Sequence, residues 1–258
     1  MAFLHTMDRG KVADGAQSEA EKAARIDLAA AYQLAARQGW DDIIYTHMSV
    51  RVPDQPRHFL INPFGLTFEE ITASNLVKVD EDGRVVGDSP HPVNAAGFVI
   101  HSAVHQARPD MHCVIHLHTE AGMALSMLEE GLLPLSQHAL MFYGRIAYHD
   151  YEGIALDMDE RQRLIRDLGE HRVMVLRNHG LLTAGGTVAE AWLRMYYLEK
   201  AARTQLMAMA ASQRLCVPSP DVCDLTARQH NGFEDALGVN EWPALLRRLD
   251  RQGSNYRE

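Results

Sequence analysis

"CVIHLHTEAG", residues 113–122, ends a run of β-formers on two histidines one residue apart and then turns polar. Alternate residues of a strand share a face. His116 and His118 therefore project together, alongside Val114, while Cys113, Ile115 and Leu117 face the other way into an apolar layer. Two imidazoles so placed can share one ion at about 2.0–2.1 Å, and a strand supplies the rigidity a catalytic metal requires. The same pair also fits two satisfied core histidines, because the chain holds 14 in all. The following "TEAGMALSMLEEG" (119–131) reads as a helix stopped by Gly131.

A third ligand is offered by "LRNHGLLTAGG", where His179 stands beside Gly180 at the exit of the apolar strand in "RVMVLRNHG". Three neutral imidazoles leave a position open for water or substrate, the pattern of a catalytic rather than a structural zinc. The same donor set suits Fe(II), which keeps a three-histidine iron oxygenase open as an alternative. His101, His105, His112, His138 and His149 also lie nearby in the sequence, and spacing alone does not choose among them.

Outward from this centre, Ser18 and Glu21 form a capping-box pattern before the helical "EAEKAARIDLAAAYQLAARQ", which Gly39 ends. "YTHMSVRV" (45–52), "HFLIN" (58–62) and "LVKVD" (76–80) read as strands between turn-rich spacers. "AAGFVIHSAVHQA" (95–107) reads as a helix, stopped by the Pro109 that follows Arg108. "MDERQRLIRDLGE" and the long segment from Thr187 to about Gln213 are further helices, the second broken by "VPSPD". From 222 onward the pattern is weak, and the tail is expected to pack on a neighbour or stay partly mobile. Helices around a group of strands imply one α/β or α+β domain. The expected division is a lead-in over 1–17, a domain over 18–216, and a C-terminal extension over 217–258 that packs on its own or a neighbouring subunit.

Composition excludes several classes. The 258 residues are 47% hydrophobic and 23% charged, enough for a sizeable core. Net charge is −9 and no basic cluster exceeds the Arg247–Arg248 pair, which argues against nucleic acid as a partner. No apolar run approaches bilayer length and no signal-peptide core is present, so no membrane partner is expected. Cys113, Cys216 and Cys223 make neither an even framework nor a CxxC, which points to a reducing, cytoplasmic setting.

"RPDMHCVIHLHTEAGMALSML", followed some sixty residues later by "VLRNHGLL", resembles the class II aldolase/adducin family, with "MSVRV", "LINPFG" and "LVKVDEDG" in the family's order upstream. The resemblance covers about residues 20 to 213. It implies an α/β fold, a three-layer α/β/α class II aldolase-like domain with a largely antiparallel central sheet. It also implies a divalent ion, usually zinc with Mn2+, Fe2+ or Co2+ as alternatives, held by His116, His118 and His179. Aldolases of this family, such as L-fuculose-phosphate aldolase, are similar homotetramers with active sites at subunit interfaces. Their metal polarises a substrate carbonyl.

Departures from the aldolase pattern are as informative. Where aldolases carry Ser-Ser-Glu before the helix histidine matching His101, this chain has Ala95, Ala96 and Gly97, so phosphate-holding serines and the acid/base carboxylate are both replaced. The upstream turn is "PFG", and Phe64 has no hydroxyl for a phosphate. Leu140 stands where a neighbouring subunit's tyrosine is expected. The pattern is nearer the adducin-like branch, whose heads look like the fold without its acid/base apparatus. Candidates for the missing proton chemistry are Glu120, which follows the HLHT motif, His101, Tyr143 and His138. Each has a plainer structural reading: helix-terminus electrostatics for Glu120, helix–sheet packing for His101, interface packing for the other two. The expected activity is a metal-dependent carbon–carbon lyase, by aldol cleavage or decarboxylation, on a non-phosphorylated hydroxy or oxo acid or an aldehyde-type substrate. The alternative from a different class is a non-catalytic, adducin-like binding or oligomerisation module.

Overall fold

The computed structural model of the chain describes residues 6–7, 11–12, 15–153 and 159–258. Much of the expected lead-in (1–5, 8–10 and 13–14) therefore lies outside the described residues. In chain order the elements are β1 (Thr6–Met7), β2 (Lys11–Val12), α1 (Glu19–Gln38), β3 (His47–Arg51), β4 (His58–Ile61), β5 (Val77–Asp80), β6 (Val85–Val86) and β7 (Val93–Asn94). There follow α2 (Ala95–Ala107), β8 (Cys113–Leu117), α3 (Glu120–Ser126), α4 (Gln137–Leu140), β9 (Ala147–His149), α5 (Glu160–Leu168), β10 (Val173–Leu176) and β11 (Gly180–Gly185). The chain continues through α6 (Val188–Ala211), α7 (Pro220–Asn231) and α8 (Glu241–Arg251).

Strand β8 lies inside the main sheet between β3 and β11, in the order β2-β6-β5-β4-β3-β8-β11-β10-β9. The pairings are antiparallel except β2 with β6 and β10 with β9. Alternation along β8 splits its side chains as period two requires. Cys113, Ile115 and Leu117 join Leu28, Tyr32, Met48, Val175, Trp192 and Leu198 in the larger core, beneath α1 and α6. Val114 joins Ile100 and Val104 of α2, and Leu164 and Leu168 of α5, on the opposite face. Helices thus cover both sides of the sheet, giving the three-layer α/β/α arrangement with a largely antiparallel centre.

Local differences from the sequence expectation have identifiable causes. Ser18 caps α1 by accepting from the Glu21 amide at 3.1 Å, and Gly39 ends it with φ 68°. Glu21 does not complete the expected capping box. Its fully buried carboxylate takes Arg25 Nε at 3.0 Å and Lys78 Nζ at 2.8 Å, pairing buried charges that would be costly alone. The helix expected to run to Gly131 stops after Ser126, because the Ser126 carbonyl accepts from the Asn178 amide at 3.2 Å instead of continuing the helical ladder. "GLLTAG", unassigned from sequence, is β11, the hairpin partner of β10. The tail forms α7 and α8 and packs on its own chain. Trp242 Nε1 donates to Asp27 Oδ1 at 2.9 Å, the Ala73 amide donates to the Tyr256 carbonyl at 3.0 Å, and Tyr256 is fully buried.

Candidate metal centre

Three histidines converge at one end of β8. The ligand-capable nitrogens of His116, His118 and His179 all lie within 4.8 Å of one another. His116 and His118 project from the same face of β8, as the strand period demands. His179 arrives from the turn between β10 and β11, where Asn178 adopts φ 54° and the His179 amide donates to Ser126 Oγ at 3.2 Å. Gly180 lets β11 approach β8 this closely, since a Cβ there would sit 2.6 Å from the Leu117 carbonyl oxygen.

Hydrogen bonding fixes which nitrogens face inward. Nδ1 of His116 lies 3.1 Å from the Leu181 carbonyl oxygen, which can only accept, so Nδ1 carries the proton. Nδ1 of His118 donates in the same way to Asp42 Oδ2 at 3.0 Å. Both Nε2 atoms are therefore bare in the neutral rings, and they face each other across 3.1 Å. Two lone pairs so close repel unless a proton or a cation lies between them. Nitrogens bound about 2.0–2.1 Å from one ion stand about 2.8–3.4 Å apart, for angles from octahedral to tetrahedral. The His116–His118 separation falls in that range, and His179 places a third nitrogen within 4.8 Å of both, a donor set of the kind that can hold a divalent ion. Burial pushes the His116 ring well below the ordinary imidazole pKa and His179 down to about 4, with neighbouring histidines adding to both shifts. Neutral imidazole is the form that binds metal.

Behind the triad runs a second row of imidazoles. His47 of β3 is the Cα partner of His116, and its ring centroid lies 5.3 Å from that of His116. Its Nδ1 is 2.9 Å from His101 Nε2 of α2. His101 Nδ1 is 2.5 Å from Ser49 Oγ, and Ser49 Oγ is 2.8 Å from His105 Nε2. Burial holds His47 and His101 well below the ordinary imidazole range and takes His105 down to about 3. Gly97 stands directly over His47, and a Cβ at residue 97 would lie 2.6 Å from its Cδ2. The His47 ring thus occupies the space in front of Gly97.

The match to known sequences decides the family. Residues 26–206 match the family model for the Class II Aldolase and Adducin N-terminal domain. The chain belongs to the class II aldolase/adducin family. A putative aldolase class 2 protein of Caulobacter vibrioides is 50% identical over 255 residues, covering 98% of this chain and 97% of that protein. The crystal structure of an aldolase II superfamily protein from Pseudomonas syringae superposes with a TM-score of 0.90 at 51% identity, covering 93% of this chain and 97% of that one. Alpha-adducin of Rattus norvegicus is 40% identical over 253 residues, covering 92% of this chain but 34% of the adducin. Adducin-like character and aldolase fold therefore meet in one class II aldolase/adducin chain.

The other candidate residues lie at graded distances from this centre. His101 is fully buried, and among the described hydrogen bonds it is linked toward the triad by His47. Glu120 is exposed at the first position of α3, where Thr119 caps by accepting from the Gly122 amide at 3.1 Å. His138 stacks on Tyr197 of α6, with centroids 5.3 Å apart, and lines a separate cavity of about 540 Å³ with Arg145 and Arg194. Tyr143 is half-buried in the turn after α4. Neither contacts the triad of its own chain among the described contacts. Three residues escaped sequence reasoning: Asp42, His47 and Ser49. Asp42 carries no local signal. His47 and Ser49 do, as an H-x-S alternation on β3 that matches the phase of the neighbouring H-x-H.

Among the described residues, no helix is long and apolar enough to cross a membrane.

Proposed function

We propose that this class II aldolase/adducin protein is a divalent-metal-dependent carbon–carbon lyase, cleaving or decarboxylating a non-phosphorylated hydroxy or oxo acid. The observation that carries the reading is the pair of bare Nε2 atoms of His116 and His118 meeting at 3.1 Å beside His179. Zinc is the proposed ion, and when bound it supplies Lewis-acid polarisation of a substrate carbonyl. The chain's own groups orient the ligands: the Leu181 carbonyl holds His116, the Asp42 carboxylate holds His118, and Ser126 holds the His179 turn. Such outer partners fix ring orientation and raise ligand basicity.

A phosphorylated substrate is disfavoured by chemistry. Ala95, Ala96 and Phe64 stand at the positions that the aldolase resemblance gives to phosphate-binding hydroxyls, and none can donate a hydrogen bond from its side chain. Glu120, His101, Tyr143 and His138 stand as proposed proton-transfer groups, the last two serving a neighbouring subunit in a cytoplasmic homotetramer. The second reading is a non-catalytic adducin-like module. It is favoured by the 40% identity to alpha-adducin and by Gly97, which leaves the helix without a carboxylate.

Metal analysis of the purified protein separates the two. About one equivalent of zinc per chain is expected, with loss in His116→Ala and His179→Ala. A wild-type protein that takes up no stoichiometric divalent metal would sink the lyase reading. If metal binds, release of aldehyde or CO₂ from a panel of hydroxy acids follows as the activity screen.

A further inference from the structure

The row of imidazoles behind the triad has one end tied to a group that can only accept. Nδ1 of His105 lies 3.3 Å from the Met111 carbonyl oxygen. A carbonyl offers no proton, so His105 carries its hydrogen on Nδ1 and its Nε2 is a lone pair. Ser49 then donates its hydroxyl proton to His105 Nε2 at 2.8 Å and accepts from His101 Nδ1 at 2.5 Å. His101, protonated on Nδ1, has a lone pair on Nε2, which accepts from His47 Nδ1 at 2.9 Å. The last ring in the row is thereby protonated on Nδ1 and bare on Nε2. Reversing every bond would leave a His105 lone pair against the Met111 carbonyl, with nothing to offset the repulsion. The polarity of the row is set by that carbonyl.

His101 and Ser49 are fully buried, His105 and His47 at the two ends of the row keep 3% and 4% exposure, and His47 Nε2 has no hydrogen-bond partner among the described residues. The row ends at the His47 ring, whose centroid lies 5.3 Å from that of His116. We propose that His47 Nε2 is a hydrogen-bond acceptor for a substrate hydroxyl held next to the metal centre, so that the ligand is a hydroxy acid rather than its deoxy counterpart. This rests on the lyase reading for the presence of a substrate, although the tautomer itself does not. Gly97 is the complement of the arrangement: only a residue without Cβ leaves room for the ring, whose Cδ2 would be 2.6 Å from that atom. His101, Ser49 and His105 are positioning residues that fix the proton on Nδ1 of His47. An imidazole on the adjacent strand would then serve where the family resemblance expects a helix carboxylate, and the acceptor is neutral rather than anionic.

Two measurements test this. In protein labelled with ¹⁵N-histidine, two-bond proton–nitrogen correlation at pH 7.5 reads each ring's tautomer, with His47 assigned by its loss in His47→Asn. The expected pattern is a protonated Nδ1 and an unprotonated Nε2, and the opposite pattern overturns the proposal. Calorimetric titration of the zinc-loaded protein with glycolate and with acetate reads the hydroxyl preference. The wild type should favour glycolate, and His47→Asn should lose about three- to tenfold of that preference, the worth of one hydrogen bond. Asparagine can still donate to His101 through its amide, so zinc stoichiometry should be unchanged. An undiminished preference in His47→Asn overturns the proposal. Failure to load zinc counts against the lyase reading alone, because the tautomer measurement needs no ion and then decides the case for His47.

Discussion

Replacing Gly97 by alanine asks whether residue 97 and His47 compete for one volume. The added Cβ would lie 2.6 Å from Cδ2, 2.9 Å from Cγ and 3.0 Å from Nε2 of the ring, all inside normal carbon contact. The ring has little freedom to yield, being 4% exposed and hydrogen-bonded to His101 at 2.9 Å. Taken alone, glycine to alanine in a helix gains about 0.5–1 kcal/mol. Against this stand about 1–3 kcal/mol for overpacking and about 0.5–1.5 kcal/mol for a displaced buried hydrogen bond. The net is a loss of about 1–3 kcal/mol, opposite in sign to the helix-propensity expectation. Urea denaturation of wild type, Gly97→Ala, His47→Ala and the double variant gives the answer as a cycle. On the His47→Ala background the clash is gone, so alanine at 97 should be neutral or stabilising, with a coupling of about 2–3 kcal/mol. If Gly97→Ala stabilises the otherwise unaltered protein, the two residues do not share that space and the reasoning fails.

Two further outcomes follow from the same geometry. His101 and His105 are buried neutral, with His105 pushed down to about 3 and His101 well below its ordinary range, so their folded pKa values lie under the unfolded value near 6.5. Their stabilisation is complete above about pH 6.5 and declines as pH falls toward the folded values, at about 1.4 kcal/mol per unit for each group. Chelator-treated protein should lose about 3 kcal/mol from this pair between pH 6.5 and 5.0, read from urea midpoints; a flat profile over that window would exclude a neutral row. Asp42→Asn should weaken zinc binding about 10- to 100-fold in competition with a chelating dye, because the carboxylate fixes the His118 ring at 3.0 Å. An unchanged affinity would mean that Asp42 does not orient a ligand.

The candidate ligand pair was legible because strand alternation is a local rule: His116 and His118 share a face whatever surrounds them. His179 was legible for a related reason, since a histidine next to glycine at a strand exit can turn inward. His47 was not, although it lies within a strand recognisable from "YTHMSVRV". Its importance depends on which strand becomes the neighbour of β8, and antiparallel pairing across distant sequence leaves no periodic trace. At Gly97 the sequence suggested only an expectation drawn from the family resemblance, and gave no sign that an imidazole fills the space in front of it. In the tail a usable signal went unread: Trp242, Leu245, Leu246 and Leu249 fall at helical spacing on α8 and pack against or within the main core. Dense arginine around them hid the stripe.

The return of the tail to the first helix bears on how the chain reaches this state. Gln33 on α1 donates to Asn255 at 3.0 Å across 222 positions of sequence, and Tyr256 is sealed against the same region. Contacts that distant are entropically late, because a long loop must close before they give any return. During synthesis, α1 emerges early and waits with one flank uncovered until α8 and the residues beyond it arrive. The segment around Tyr256 closes the longest of these loops, so a lesion there should act first on folding yield, well away from the candidate metal centre.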